Sequence, residues 1–321
     1  MWTGKAFKSA LPQMPEIREP FVEGINRQFR LAAQFLSVVT FFLITGCSMV
    51  DLGFSPKSTL WELKEKAVTI YLLGSMHLLP ENAYPLPVEM ERAFQNSNRI
   101  VFEVDLGMAS PDRISKAYQS VAAYPPNDDL SHHVSAETLS ELRLVLNYLG
   151  LSFEAAQRLR AAFLAGVITD RLAQRAGFRE EFGVDRHFYR EAVQAKKTVT
   201  GLETLQAQTS VYSLDDRQSE NHLRLAMENL LTCPILLNQM EDAWKAGDAD
   251  GLDQLLNGDQ MSEPVLDARM FGSRNDRWLA QIERMLHSDE KYLIIVGAGH
   301  LVGKNGLVET LRRRGYRVRQ L

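Results

Sequence analysis

Tyr292-Leu293-Ile294-Ile295-Val296-Gly297-Ala298-Gly299-His300 is the most informative stretch of the chain. Its apolar run is short, unbroken and rich in β-branched residues. That pattern suits a strand covered on both faces, as in a parallel sheet, and not the alternation of a half-wet one. The run ends at a glycine, and a histidine follows three residues later. Val68-Thr69-Ile70-Tyr71-Leu72-Leu73 runs the same way into Gly74-Ser75-Met76-His77. At both places the reading is that a strand ends, glycine permits a tight turn with unusual φ, and an imidazole projects over the sheet edge.

Two more segments read as strands. Ile100–Asp105 alternates, placing Ile100, Phe102 and Val104 on one face and ending near Glu103. Thr198-Val199-Thr200-Gly201-Leu202 leads to Glu203. Helical patterns separate the strands: Pro87–Asn96, Asp185–Lys196, Ser219–Ala246, Asn275–His287 and Leu307–Arg314, with Tyr316–Arg319 as a short basic edge strand. The stretch from Pro111 to Ala176 is helical in period throughout, broken at Pro125-Pro126. Strands alternating with helices predict an α/β fold, a mostly parallel sheet flanked by helices, with a large helical insert at about 110–180.

In open parallel sheets, sites form outside the carboxyl ends of the strands. His77, Glu103, Glu203 and His300 would therefore converge there from four distant segments. Two histidines and a carboxylate are a competent ligand set for a divalent metal. They are equally a metal-free acid/base set, with Glu103 orienting or charging an imidazole. Arg274, at the start of a helix, reads either as an electrostatic stabiliser of an oxyanion or as a surface residue. Asp185 reads first as an N-cap. His132, His133, His187, His222 and His287 sit in loop-like or helix-end contexts and carry weaker signals.

The N-terminal region adds a location. Leu31–Gly46 is apolar, follows Arg27 and Arg30, and suits a signal-peptide core while being short for a membrane span; an ordinary N-terminal membrane anchor with an incidental cysteine is the alternative reading. It ends in Ile44-Thr45-Gly46-Cys47, which resembles a bacterial lipobox: small residues admit a signal peptidase, and the thiol receives lipid. Residues 1–46 are thus expected to be a lipoprotein signal peptide, 47–66 a tether and 67–321 the folded domain. The expected location is the cell envelope, exported and lipid-anchored, with Ser48 favouring an outer membrane and its periplasmic side. The chain has two cysteines, so Cys233 would be alone in the mature protein, excluding an intrachain disulfide.

Composition excludes other classes. A net charge of −4 and the lack of a basic run interleaved with aromatics argue against nucleic acid; Arg312–Arg314 is a solvated helix end, where cations suit the dipole. Gly297, Gly299 and Gly303 mimic a dinucleotide fingerprint, but the following strand is basic where that fold needs an acid, so no nucleotide cofactor is expected. No H-E-x-x-H, G-x-S-x-G or Walker pattern occurs.

The paired Gly-x-x-His motifs, Phe102-Glu103-Val104-Asp105, Gly183-Val184-Asp185-Arg186-His187-Phe188, Leu202-Glu203-Thr204 with Gln206 and Gln208, Arg274-Asn275 and the Gly297–Gly303 segment with Asn305-Gly306-Leu307 together resemble the TraB/GumN family, in the family's order. The resemblance runs from about Val68 to the C-terminus. That family is similar to the Tiki metalloproteases and, more distantly, to erythromycin esterases and ChaN-like haem-binding proteins. The resemblance implies an active centre of His77, Glu103 and His300, supported by Glu203, Asp185 and Arg274. It implies a divalent ion of the Mn, Co or Zn class on the first three, and a peptide or protein substrate. A metal-dependent hydrolase acting on a peptide or related acyl bond outside the cytoplasm is the first expectation. Its alternative is a non-catalytic lipoprotein that sequesters a peptide, a metal or haem, since some relatives inhibit pheromone signalling.

Overall fold

The computed structural model describes residues 57–65, 68–105, 107, 111–257 and 268–321, all within one compact unit. Six strands form one sheet: β1 (Leu60–Glu65), β2 (Val68–Ser75), β3 (Arg99–Phe102), β4 (Thr198–Gly201), β5 (Tyr292–Gly297) and β6 (Arg317–Gln320). Their order across the sheet is β4-β3-β5-β2-β1-β6. β4, β3, β5 and β2 are mutually parallel, whereas β1 pairs antiparallel with both β2 and β6. The fold is α/β. β5, last of the four in the chain, inserts between β2 and β3, so their carboxyl ends surround its own.

Among the described residues, twelve α-helices accompany the sheet. Those that matter for the site are α1 (Val88–Asn96), α6 (Val184–Gln194), α7 (Leu205–Thr209) and α11 (Ser273–Met285), followed by α12 (Leu307–Arg313). The sheet core buries Leu72, Leu73, Ile100, Ile294 and Ile295 against Phe94, Phe188 and Trp278 from the helices. The insert builds α2 (Pro111–Ala122), α3 (Ala136–Leu149), α4 (Phe153–Gln157) and α5 (Ala161–Arg175). It closes a second core on α8 (Asp216–Glu228) and α9 (Cys233–Lys245), around Leu142, Leu146, Leu164, Ile168 and Leu223. α10 (Ala249–Asn257) follows α9.

Several expectations need correction. The tether was expected to reach residue 66, yet Leu60–Glu65 is a strand. Leu-Trp-Glu-Leu-Lys-Glu is made mostly of good helix formers; pairing with β2 on one side and β6 on the other overrides that weak preference. β4 is the half-exposed edge of the sheet and not a strand covered on both faces. The single helix expected over Ser219–Ala246 is two, because the chain turns at Asn229 and restarts with Pro234 in the first turn of α9. Neither Gly74 nor Gly297 has a positive φ. A methyl on Gly74 would strike Thr59 Cγ2 at 2.6 Å, so close packing is what demands glycine there. Cys47 and the expected signal peptide lie outside the described residues.

Candidate functional site

The four parallel strands end side by side, and each presents one of the expected residues. In sheet order these are Glu203 after β4, Glu103 after β3, His300 after β5 and His77 after β2. The pairing of β3 and β4 continues past the strands through Leu202 N–H to Phe102 O and Glu203 N–H to Glu103 O, both 2.9 Å. That continuation holds the two carboxylates as neighbours. His77, Glu103 and His300 meet around Gly297: a methyl on its Cα would lie 3.4 Å from Glu103 Oε1, 3.6 Å from His77 Nε2 and 3.7 Å from His300 Cδ2.

Arg274 is the hub of this cluster. It is buried on α11, which excludes the surface reading of the residue. Nε donates to Glu203 Oε1 at 3.0 Å; Nη2 donates to Glu103 Oε2 at 2.7 Å and to Glu203 Oε1 at 2.6 Å. Nη1 donates to Met270 O at 3.0 Å and to His300 Nε2 at 3.1 Å. A guanidinium has five N–H groups, and all five are committed. Arg274 as placed therefore neutralises two buried carboxylates and has no donor left for a developing oxyanion, correcting that expected role.

His300 is buried between two neighbours on one helix. Asn275 Oδ1 lies 2.7 Å from Nδ1, and Arg274 takes Nε2. Since Arg274 can only donate, Nε2 carries the lone pair and Nδ1 the proton. Burial drives the imidazole's pKa down to about 3, with Arg274 and His77 adding to the effect and Glu103 opposing it. His300 is a neutral, fixed ring, packed against Trp278 and Phe271.

Glu103 is charged. Burial by itself would raise its pKa, but the neighbouring His300 ring, the Arg274 guanidinium, the His77 ring and the Gly297 N–H outweigh that and hold it well below the usual carboxylate range. Oε1 accepts from Gly297 N–H at 2.8 Å, and Oε2 also accepts from Gln208 Nε2 at 3.1 Å. Glu203 behaves oppositely. Burial, reinforced by Glu103, raises its pKa against the pull of Arg274.

His77 differs from His300 in access, its side chain being 36% exposed. Its Nδ1 pairs with Asp185 Oδ1 at 3.1 Å. Asp185 was expected as an N-cap, but Gly183 takes that position and the carboxylate, second residue of the helix, turns to the histidine. The docking is close: Val184 N–H donates to Met76 O at 3.0 Å, and a methyl on Gly183 would stand 2.3 Å from His77 O. Burial pushes the Asp185 pKa up, and the adjoining His77 ring, with its hydrogen bond, more than reverses this.

The expected ligand trio is brought together, but not as a metal centre. His77 Nε2 and Glu103 Oε1 face the space over Gly297, whereas both His300 nitrogens are engaged and a guanidinium stands at Nε2. Among the described residues, no three or more His, Cys, Asp or Glu side chains are arranged to hold a metal ion. The residues as placed do not fit a three-ligand divalent ion.

Residues 59–320 match the sequence profile of the TraB/PrgY/gumN family. The chain belongs to that family. It is 26% identical over 242 residues to the uncharacterized protein YbaP of Escherichia coli K12 and equally to YbaP of Shigella flexneri, covering 75% of this chain and 87% of each relative. No solved structure matches the chain. The family motifs thus coincide with the four strand ends and the helix starts that contact them.

Four residues at this TraB-family site carried no assigned role from sequence. Asn275 and Trp278 share the inward face of α11 with Arg274, a helical spacing that could have marked them. Gln208 lies on α7, five residues beyond Glu203. Ser75 carried no signal of its own. Of the other histidines, His187 pairs with Glu91 at 3.0 Å, and His132 and His133 pair with Asp128.

Proposed function

We propose that this protein is a hydrolase that cleaves a peptide or related acyl bond outside the cytoplasm, anchored to the cell envelope by lipid on Cys47. The observation that supports it best is the His77–Asp185 pair opening onto a fixed anion, Glu103, at the carboxyl edge of the sheet. Asp185 on Nδ1 leaves Nε2 as the basic nitrogen of a neutral His77. In this reading His77 Nε2 takes a proton from water as the water oxygen attacks the scissile carbonyl carbon. The imidazolium then returns that proton to the leaving nitrogen as its bond to carbon breaks. Glu103 and Asp185 stabilise the imidazolium, a contribution of the general acid–base kind typically worth about 10²–10⁴-fold in rate. Glu103 itself is not the base, because the hydrogen bonds it accepts from Arg274, Gln208 and Gly297 N–H and its lowered pKa leave it little affinity for a proton.

A peptide-library cleavage assay on purified Ser48–Leu321, with and without chelator and with metal content measured, tests this. Cleavage that falls by about 10²-fold or more in His77→Ala, with unchanged thermal unfolding, supports the reading. A metal-dependent form of it requires Arg274 to withdraw from His300; stoichiometric divalent metal and loss of cleavage on chelation would establish that form. Tight binding of a peptide, a metal or haem without turnover would replace the enzyme by a sequestering protein.

A further inference from the structure

We propose that Ser75 and Gly297 form a seat for the attacking water, with Ser75 Oγ a further catalytic group. This rests on the hydrolase reading above and deepens it.

Ser75 ends β2 and is 3% exposed, and its Oγ finds no hydrogen-bond partner among the described protein groups. A buried hydroxyl left so is costly and calls for a partner. In β2 and β5, which run parallel, Ser75 is registered opposite Gly297. Registered residues on neighbouring strands project to the same face of the sheet. Ser75 therefore shares the face on which Glu103 Oε1 and His77 Nε2 surround the missing Cβ of Gly297.

Neither conformation nor crowding explains the glycine at 297. Its φ of −50° and ψ of 136° suit any residue, and a methyl would touch its neighbours only at ordinary contact distances of 3.4–3.7 Å. A methyl there would stand between a fixed carboxylate oxygen and an imidazole nitrogen, in the way of a water that bridged the two. A water seated there donates one proton toward His77 Nε2 and the other to Glu103 Oε1. Ser75 Oγ–H donates to its oxygen, leaving one lone pair to attack. The new bond is oxygen to carbonyl carbon; the proton lost goes to His77, as above. Ser75 stays unmodified throughout.

Crystal structures of the wild type, Gly297→Ala and Ser75→Ala at a resolution that shows waters test the seat directly, whether or not a substrate is known. The expected result is a water within hydrogen-bond reach of Ser75 Oγ, His77 Nε2 and Glu103 Oε1 in the wild type, absent in Gly297→Ala. With a cleavable peptide, Gly297→Ala and Ser75→Ala should lower kcat by at least about 10-fold with KM unchanged, and Ser75→Thr should restore most of it. Thermal unfolding of Ser75→Ala should be no lower than wild type, since a hydroxyl unpaired within the protein contributes no fold-stabilising bond. A wild type that cleaves but shows no water there and tolerates Ser75→Ala would overturn the seat and leave the hydrolase intact. An ordered water without any cleavage would leave the seat and overturn the hydrolase. An acyl adduct trapped on Ser75 would overturn the proposal too, by making Ser75 the nucleophile.

Discussion

Arg274 holds the site together, and its energetics follow from burial. Two carboxylates and a guanidinium shut away from water are costly to bring together, but removing one member leaves uncompensated charge, typically at about 3–5 kcal/mol. Arg274→Met is therefore expected to lower the free energy of unfolding by about that amount in urea denaturation, with Glu103 and Glu203 left facing each other. Arg274→Lys should recover only part of the loss. An ammonium is a point charge with three donors and cannot span Glu203, Glu103, His300 and Met270 O together. Glu103 adds a pH sense. Its folded-state pKa is depressed, so its stabilisation is present above the ordinary carboxylate value and lost only as pH falls through the lower folded one.

At the scale of elements, the site depends on how helices dock on strand ends. α6 reaches His77 because Gly183 lets its first turn approach the backbone after β2. Gly183→Ala would place a methyl against His77 O, and overpacking of this kind costs about 1–3 kcal/mol. Reduced thermal stability, with the His77–Asp185 hydrogen bond lost from the imidazole NMR spectrum, is the expected outcome. A second junction is pH-sensitive. His133, stacked on Tyr124, places Nε2 2.9 Å from Asp128 and Nδ1 3.0 Å from Asp216 at the start of α8. Partial burial opposes protonation, but the two aspartates raise the pKa overall. Only the imidazolium has a proton on both ring nitrogens to donate to the two anions. Its stabilisation is full below the ordinary histidine value and is lost as pH rises through the raised one. Protection from hydrogen exchange at the start of α8, taken relative to the intrinsic base-catalysed rate, should fall over that rise in wild type and stay level in His133→Gln.

Across the whole molecule, the sheet and the insert have separate apolar cores, and α7, which lies against α2 of the insert, carries Gln208 to Glu103. Among the described residues no helix is long and apolar enough to cross a membrane. If lipid on Cys47 is the attachment, Cys47→Ser should move the protein out of the membrane fraction, whereas retention there would point to an uncleaved apolar anchor. A single acyl chain binds membranes only marginally, so stable anchoring needs more than one.

The local pattern was enough for the parallel core and for the two Gly-x-x-His ends, because continuous β-branched runs and a following histidine need no partner to be recognised. It was also enough to nominate His77, Glu103, Glu203, Arg274 and His300. β1 was hidden in helix-forming residues and became a strand only through hydrogen bonds from both neighbours. The roles were decided by tertiary contacts as well. Two histidines in matching motifs differ because one is buried against Arg274 and Asn275 and the other is open beside Asp185. Sequence spacing places side chains near a strand end, but protonation, accessibility and donor commitment depend on which distant groups arrive there, and those are properties of the packed fold alone.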